Sequence, residues 1–223
     1  SGALQGDLPI DSFMMSEYGL GLDGMLHFYK KSTEVCDNEI ADAFIYRTNA
    51  AALSNMVELV KIGREPRLEV DTGSLLKNIE DAKKVKSGIK VHDGSVFEGF
   101  SNWEEVIEYT NEVSGNDLKA LVSLINKVGE EALISSLLKS NSSDYDCIVT
   151  TAHKSKGLEF NKVKLGGDFF YKEAAAPGEK ILTEDEARLL YVAATRAKKQ
   201  LDISALNPLF KKIGYNTQAE VAT

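Results

Sequence analysis

Two kinds of periodicity alternate along this chain, and the alternation constrains the fold more than any other feature. Ala43-Phe44-Ile45-Tyr46, Cys147 to Thr150 and Val163-Lys164-Leu165 are short apolar runs of strand length. Between them lie segments whose apolar residues recur three and four apart, the spacing of one helical face. From Ala50 that face holds Leu53, Met56, Val57 and Val60, and Gly63 supplies the stop. Leu68-Glu69-Val70 reads as the next strand, after Pro66, and Leu75, Leu76, Ile79 and Ala82 mark a further helix. Strands alternating with helices call for a parallel sheet, because parallel neighbours need crossover connections. The fold class is therefore α/β, with ligands expected at the carboxyl ends of the strands. Arg47-Thr48-Asn49 follows one such strand and the segment from Thr151 to Glu159 follows another, so both are placed there.

The middle of the chain changes character. Ser101-Asn102-Trp103-Glu104 reads as a capping box, with Ser101 accepting from the third helical amide while Glu104 reaches back. Trp103, Val106, Ile107 and Thr110 then share a face, so Trp103 reads as a core anchor rather than a base-stacking residue. Leu118, Leu121, Val122 and Ile125 repeat the pattern up to Gly129, followed by Leu133, Ile134, Leu137 and Leu138. Residues 71–144 are expected to form a helical insertion, flanked by an α/β domain of residues 26–70 and 145–210. Within that domain His27-Phe28-Tyr29 reads as a buried strand, and Glu39-Ile40-Ala41 as part of a short helix. Thr183-Glu184-Asp185-Glu186 is a second capping box, opening a helix near Glu184 that carries Arg196, and Leu201-Asp202-Ile203 is the last strand. Residues 1–25 read as an N-terminal segment, polar from Ser1 to Asp11, whose Ser1-Gly2 has the look of an expression remnant, and 211–223 as a tail.

A chain of 223 residues with 43% hydrophobic content can bury a sizeable core. No apolar run reaches membrane-helix length and no signal peptide is legible, so the expected location is cytoplasmic. Cys36 and Cys147 lack metal-ligand spacing and read as reduced thiols acting as small hydrophobes; His27, His92 and His153 form no metal motif. A net charge of −8 argues against a domain that coats nucleic acid over its whole surface. Locally, Lys154, Lys156, Lys162 and Lys164 stand against Glu159 alone, and Arg188, Arg196, Lys198 and Lys199 stand with no acid between Ala187 and Leu201. These segments read either as a confined anion-binding cleft or as solvated faces.

Ser155-Lys156-Gly157 offers a glycine for close backbone approach to a phosphate chain, and equally fits a glycine-assisted turn. Arg196, among the small residues Ala193, Ala194 and Ala197, has the planar charged fork that suits a terminal phosphate, or it ends a helix whose dipole it favours. Glu159 is an acceptor for a ribose hydroxyl, or an ion-pair partner for Lys156 or Lys162. Thr151 and His153 are donors suited to phosphate oxygens of a single strand, contacts that position without reading sequence.

At these residues the chain resembles the second RecA-like domain of superfamily 1 DNA helicases of the UvrD/Rep type. Thr151-Ala152-His153-Lys154-Ser155-Lys156-Gly157-Leu158-Glu159-Phe160 looks like that family's motif V, and Leu190-Tyr191-Val192-Ala193-Ala194-Thr195-Arg196-Ala197, within Glu186 to Lys199, like its motif VI. Phe44 to Ala50 looks like motif IVa, so the likeness runs from about Phe28 to Ile203. Gly166-Gly167-Asp168-Phe169-Phe170 and the short insertion look more like the F-box DNA helicase branch than like long-insertion members.

The resemblance implies a RecA-like parallel sheet flanked by helices, with Arg196 as the arginine finger and Gly157 and Glu159 beside the nucleotide. Arg47, Thr151 and His153 would lie along single-stranded DNA. ATP and Mg2+ would be held mainly by the N-terminal RecA-like domain of the full-length protein, its implied partner, and translocation would run 3′ to 5′. The family's motif IV is not visible; Ser12-Phe13-Met14 stands near its place without the arginine. No G-x-x-x-x-G-K-[ST] loop occurs in the sequence, so the chain alone is expected not to hydrolyse ATP. Two rivals stay open: a non-catalytic interaction module that keeps this fold, and a plain single-strand-binding domain.

Overall fold

The computed structural model describes residues 34–35, 40–112, 117–140, 143–171 and 182–212. In chain order the elements are β1 (Glu34–Val35), β2 (Ala43–Tyr46), α1 (Asn49–Lys61), β3 (Pro66–Glu69), α2 (Thr72–Lys86), α3 (Trp103–Glu112), α4 (Asp117–Val128), α5 (Glu130–Lys139), β4 (Cys147–Thr151), β5 (Phe160–Leu165), α6 (Glu184–Ala194), β6 (Ala197–Asp202), a 3-10 turn (Ser204–Leu206) and α7 (Asn207–Lys212). The expected strand at His27 to Tyr29, Cys36 and Ser12 to Met14 lie outside the described residues.

The chain divides into two compact units, Ser1–Ile45 with Ser155–Thr223, and Tyr46–Lys154. In the first, the strands lie in the order β1, β6, β5, β2, every adjacent pair parallel. Val163, Leu165, Leu190, Ala193 and Leu201 are buried in its core with Ala43 and Ile45. In the second, β3 pairs in parallel with β4, Pro66 opposite Cys147 and Glu69 opposite Thr150. Parallel strands flanked by helices make this the expected α/β, RecA-like class. Among the described residues no helix is long and apolar enough to cross a membrane.

The helix beginning at Asn49 forms because Thr48 caps it, its hydroxyl accepting from Ala51 N at 3.1 Å, and because Leu53, Met56 and Leu59 bury one side. It ends as expected: Gly63 adopts φ 82°, a conformation β-branched or bulky residues resist, and Arg64 N reaches back to Leu59 O at 3.0 Å. Val60, placed on the buried face by periodicity, is 55% exposed because it falls in the last turn. Periodicity identifies a face, not how far the covering surface extends along it.

Two expected features shift. At α3 the cap is Asn102, not Ser101: its Oδ1 accepts from Glu105 N at 3.0 Å, and Glu105, not Glu104, reaches back to Ser101 N at 2.8 Å. Ser and Asn are comparable caps, so adjacent candidates cannot be ranked from sequence. The larger shift is at α6, which stops at Ala194, leaving Arg196 in the turn that leads into β6. Ala193 to Lys199 has good helix formers, but Ala197 and Leu201 pair with Phe160 and Val163, and tertiary pairing overrides propensity. Ile40 and Ala41 are likewise not helical.

Trp103 is a core anchor. Its ring stands 5.7 Å from that of Phe97, Lys86 Nζ lies 4.7 Å over its face, and Nε1 donates to Asn126 Oδ1 at 3.0 Å. Cys147 is buried, and burial, with the Asp146 carboxylate beside it, pushes its thiol up to about 12. It behaves as the expected small hydrophobe.

Asp81 is a buried acid on α2. Burial raises its pKa, but hydrogen bonds from Lys84, at 2.8 Å, and Ser95 outweigh that, and the carboxyl ends below its ordinary value of 3.8. A depressed folded pKa contributes stability that is complete above the ordinary value and is lost as pH falls through the lowered one.

Trp103→Ala is expected to cost about 3–5 kcal/mol in urea unfolding followed by far-UV circular dichroism; a loss under about 1 kcal/mol would contradict an anchoring role. Asp81→Asn should flatten the decline in stability of the chain below pH 4 relative to wild type, measured by the same method, and unchanged acid sensitivity would contradict the assignment.

Candidate nucleotide and nucleic-acid sites

In the first unit, Gly157, Glu159 and Arg196 come together at the amino ends of β5 and β6. Ser155 to Leu158 is a turn closed by Leu158 N donating to Ser155 O at 2.9 Å. Gly157 occupies its third position with φ 88°, which is why the residue is glycine. Nothing lies within 4 Å of where a Cβ would stand, so the turn faces open space. Of the two readings of Ser155-Lys156-Gly157, the turn is what its backbone requires, and the open face leaves the other available.

Arg196 is fixed by its neighbours. Its Nε donates to Val192 O at 2.9 Å, Nη1 to Leu158 O at 3.1 Å and Nη2 to Thr195 Oγ1 at 3.0 Å. Val192 O is one of the carbonyls a helix end leaves without an intrahelical partner, so the side chain caps α6 from the turn that follows it. A guanidinium has five N–H groups, and two of Arg196's are committed to no other described residue.

The backbone ties the same two segments together. Phe160 N donates to Arg196 O at 2.9 Å, and β6 carries an extra residue between the Phe160–Ala197 and Lys162–Gln200 pairs. Such bulges re-aim side chains. Lys198, within this bulge, stands 3.7 Å from Glu159, both partly exposed. Glu159 therefore pairs with Lys198, not with Lys156 or Lys162, which sequence proximity had suggested.

The basic segments are partly consumed in structure. Lys164 pairs at 2.7 Å with Asp202, which is fully buried and also accepts from Ser204 N at 2.9 Å. Arg188 stands over Glu184 and Asp185, the acids of its own first turn. Lys154, Lys156 and Lys199 are exposed.

In the second unit, Arg47 follows β2 and Thr151 ends β4, at carboxyl ends as expected. Ala152 N donates to Tyr46 O at 2.8 Å, so the two segments leave from adjacent backbone. Thr151 is 4% exposed and its hydroxyl accepts from Lys154 N at 3.4 Å, holding the turn on which His153 is exposed. Arg47 is half-buried. The carboxyl-end rule thus covers Arg47 and Thr151, while Gly157, Glu159 and Arg196 precede their strands and depart from it. Sequence reasoning assigned no role to Thr195 or to the Leu158 carbonyl, because hydroxyl-to-guanidinium and backbone contacts leave no spacing signature.

Comparison with known proteins agrees with the fold. The family model described as the UvrD-like helicase C-terminal domain matches residues 28–208. F-box DNA helicase protein 1 of Schizosaccharomyces pombe is 29% identical over 191 residues, covering 74% of this chain and 21% of that protein. The probable DNA helicase II homolog of Rickettsia felis is 29% identical over 177 residues, covering 70% of this chain and 26% of the homolog. A shorter match, 40% identical over 73 residues, covers 30% of this chain and 10% of the putative ATP-dependent DNA helicase YjcD of Bacillus subtilis. The chain thus spans about a quarter or less of these relatives' lengths. With most of its residues matched by that model and the fold agreeing, the chain belongs to the UvrD-like helicase C-terminal domain family.

Proposed function

We propose that this chain is the C-terminal motor domain of an ATP-dependent 3′ to 5′ DNA helicase, supplying the arginine finger and part of the ATP and single-stranded DNA sites. The observation that carries the reading is Arg196: a guanidinium fixed at Nε, Nη1 and Nη2, with two N–H groups left for an incoming anion, beside the open turn of Gly157. A fixed fork of this kind stabilises charge on a transferring phosphoryl group without reorganising when the charge develops.

Gly157 and Glu159 fit the nucleotide side of the site. The Glu159 carboxylate is partly exposed in a loose pair with Lys198, an arrangement that allows exchange for a ribose hydroxyl. ATP with Mg2+ supplies the phosphoanhydride whose cleavage drives the motor, held mainly by the N-terminal RecA-like domain, the proposed partner. Arg47, His153 and the Thr151 turn form the proposed strand-binding set. Thr151 orders its turn by accepting from Lys154 N, a bond that leaves its O–H to donate to a phosphate oxygen. Binding through such phosphate contacts is salt-dependent and largely sequence-tolerant.

The chain alone is expected to show no ATP turnover, and to acquire DNA-stimulated turnover when mixed with the separately expressed N-terminal RecA-like domain. In that mixture Arg196→Ala should lower kcat by about 1,000-fold. Turnover by the isolated chain, or an Arg196→Ala mixture as active as wild type, would sink the reading. Tight single-strand binding by the isolated chain would favour a plain binding domain instead.

A further inference from the structure

We propose that Thr195 is a positioning residue that sets the orientation of the Arg196 guanidinium. Thr195 is the C-cap of α6 and is 8% exposed, so water competes little for its hydroxyl. Its Oγ1 donates to Val192 O at 3.0 Å and accepts from Arg196 Nη2 at 3.0 Å. Arg196 Nε donates to the same Val192 O at 2.9 Å. The carbonyl, the hydroxyl and two nitrogens of the guanidinium therefore close a ring that fixes the plane of the fork.

The chemistry explains why a hydroxyl is needed there. The Val192 carbonyl draws the hydroxyl proton to itself, which turns an oxygen lone pair toward Nη2. A valine of the same shape would leave Val192 O capped by Nε, and the helix end intact, but would remove the acceptor from Nη2. The fork would then be held by Val192 O and by Leu158 O, whose own position depends on the Ser155 to Leu158 turn. Arginine carries large rotamer freedom, and restricting it ahead of phosphate contact is what converts a flexible cation into a preorganised one.

For catalysis this rests on the motor reading above, but the positioning is measurable without it. In the 223-residue chain labelled with 15N-arginine, the Arg196 Nε–H resonance is assigned by its loss in Arg196→Lys. Rotation about the Arg196 Nε–Cζ bond, which interchanges the two Nη resonances and is held back by the bond from Nη2 to Thr195 Oγ1, should be about tenfold faster in Thr195→Val than in wild type, and near wild type in Thr195→Ser, which keeps the hydroxyl. An unchanged rotation rate in Thr195→Val, with amide spectra confirming the fold, would overturn the proposal.

In the mixture with the N-terminal RecA-like domain, Thr195→Val should lower kcat about tenfold at unchanged KM for ATP, with Thr195→Ser restoring it. A Thr195→Val mixture at wild-type kcat beside an inactive Arg196→Ala mixture would also overturn it. A fully active Arg196→Ala mixture would instead remove the motor reading, and the rotation rates alone would decide the positioning.

Discussion

The hydrogen bond from Arg196 Nη1 to Leu158 O, together with that from Phe160 N to Arg196 O, holds the first unit's candidate site together. One is a side chain reaching a backbone carbonyl and the other is backbone pairing, so the segments 158–160 and 196–198 are joined both ways. The bulge between Ala197 and Gln200 lies on this junction and brings Lys198 to Glu159. Were α6 to continue through Arg196, as its sequence favours, the backbone amide of Phe160 would lose its acceptor and β6 its start. The end of α6 at Ala194 is therefore a requirement of the strand pairing that follows it.

The second unit solves a similar problem with threonines. Thr48 caps α1 directly after Arg47, and Thr151 closes the turn that carries His153 two residues on. In both places a hydroxyl fixes the backbone, beside half-buried Arg47 in one case and on the turn of exposed His153 in the other. Thr151 is nearly buried, 4% exposed, at the end of β4. The ordering of the turn and a direct contact make different demands on the same hydroxyl: the bond from Lys154 N takes a lone pair, and a phosphate oxygen would take the O–H.

The α/β class and the elements around β2, α1, β4 and β5 were legible because each is specified by local periodicity and closed by a strong signal: Thr48 and Gly63 for α1, Thr183 for α6. What escaped is decided between segments distant in sequence. The strand beginning at Ala197 is one case, since its partners, β5 from Phe160 and β1, lie far away in the chain. The partner of Glu159 is another: Lys156 and Lys162 are nearer in sequence, but alternation along β5 and the bulge in β6 bring Lys198 instead. The residues proposed for the site were identified through their motifs, whereas their neighbours Thr195 and Leu158, which act through a hydroxyl and a carbonyl, were not.

Charge shows the same limit from another side. Counting lysines in the segments around Glu159 and Arg196 suggests a strong positive field, yet Lys164 neutralises buried Asp202, Lys198 faces Glu159 and Arg188 sits over the acids of its own helix. What remains exposed there is Lys154, Lys156 and Lys199, with His153 beside the first. In an otherwise acidic chain of net charge −8, cations so few and exposed act only within about a Debye length, roughly 8 Å in physiological salt. Anion recognition then depends on where the groups are fixed rather than on how many there are. The three bonds that hold the Arg196 guanidinium consequently matter more to the site than the basic composition that first drew attention to it.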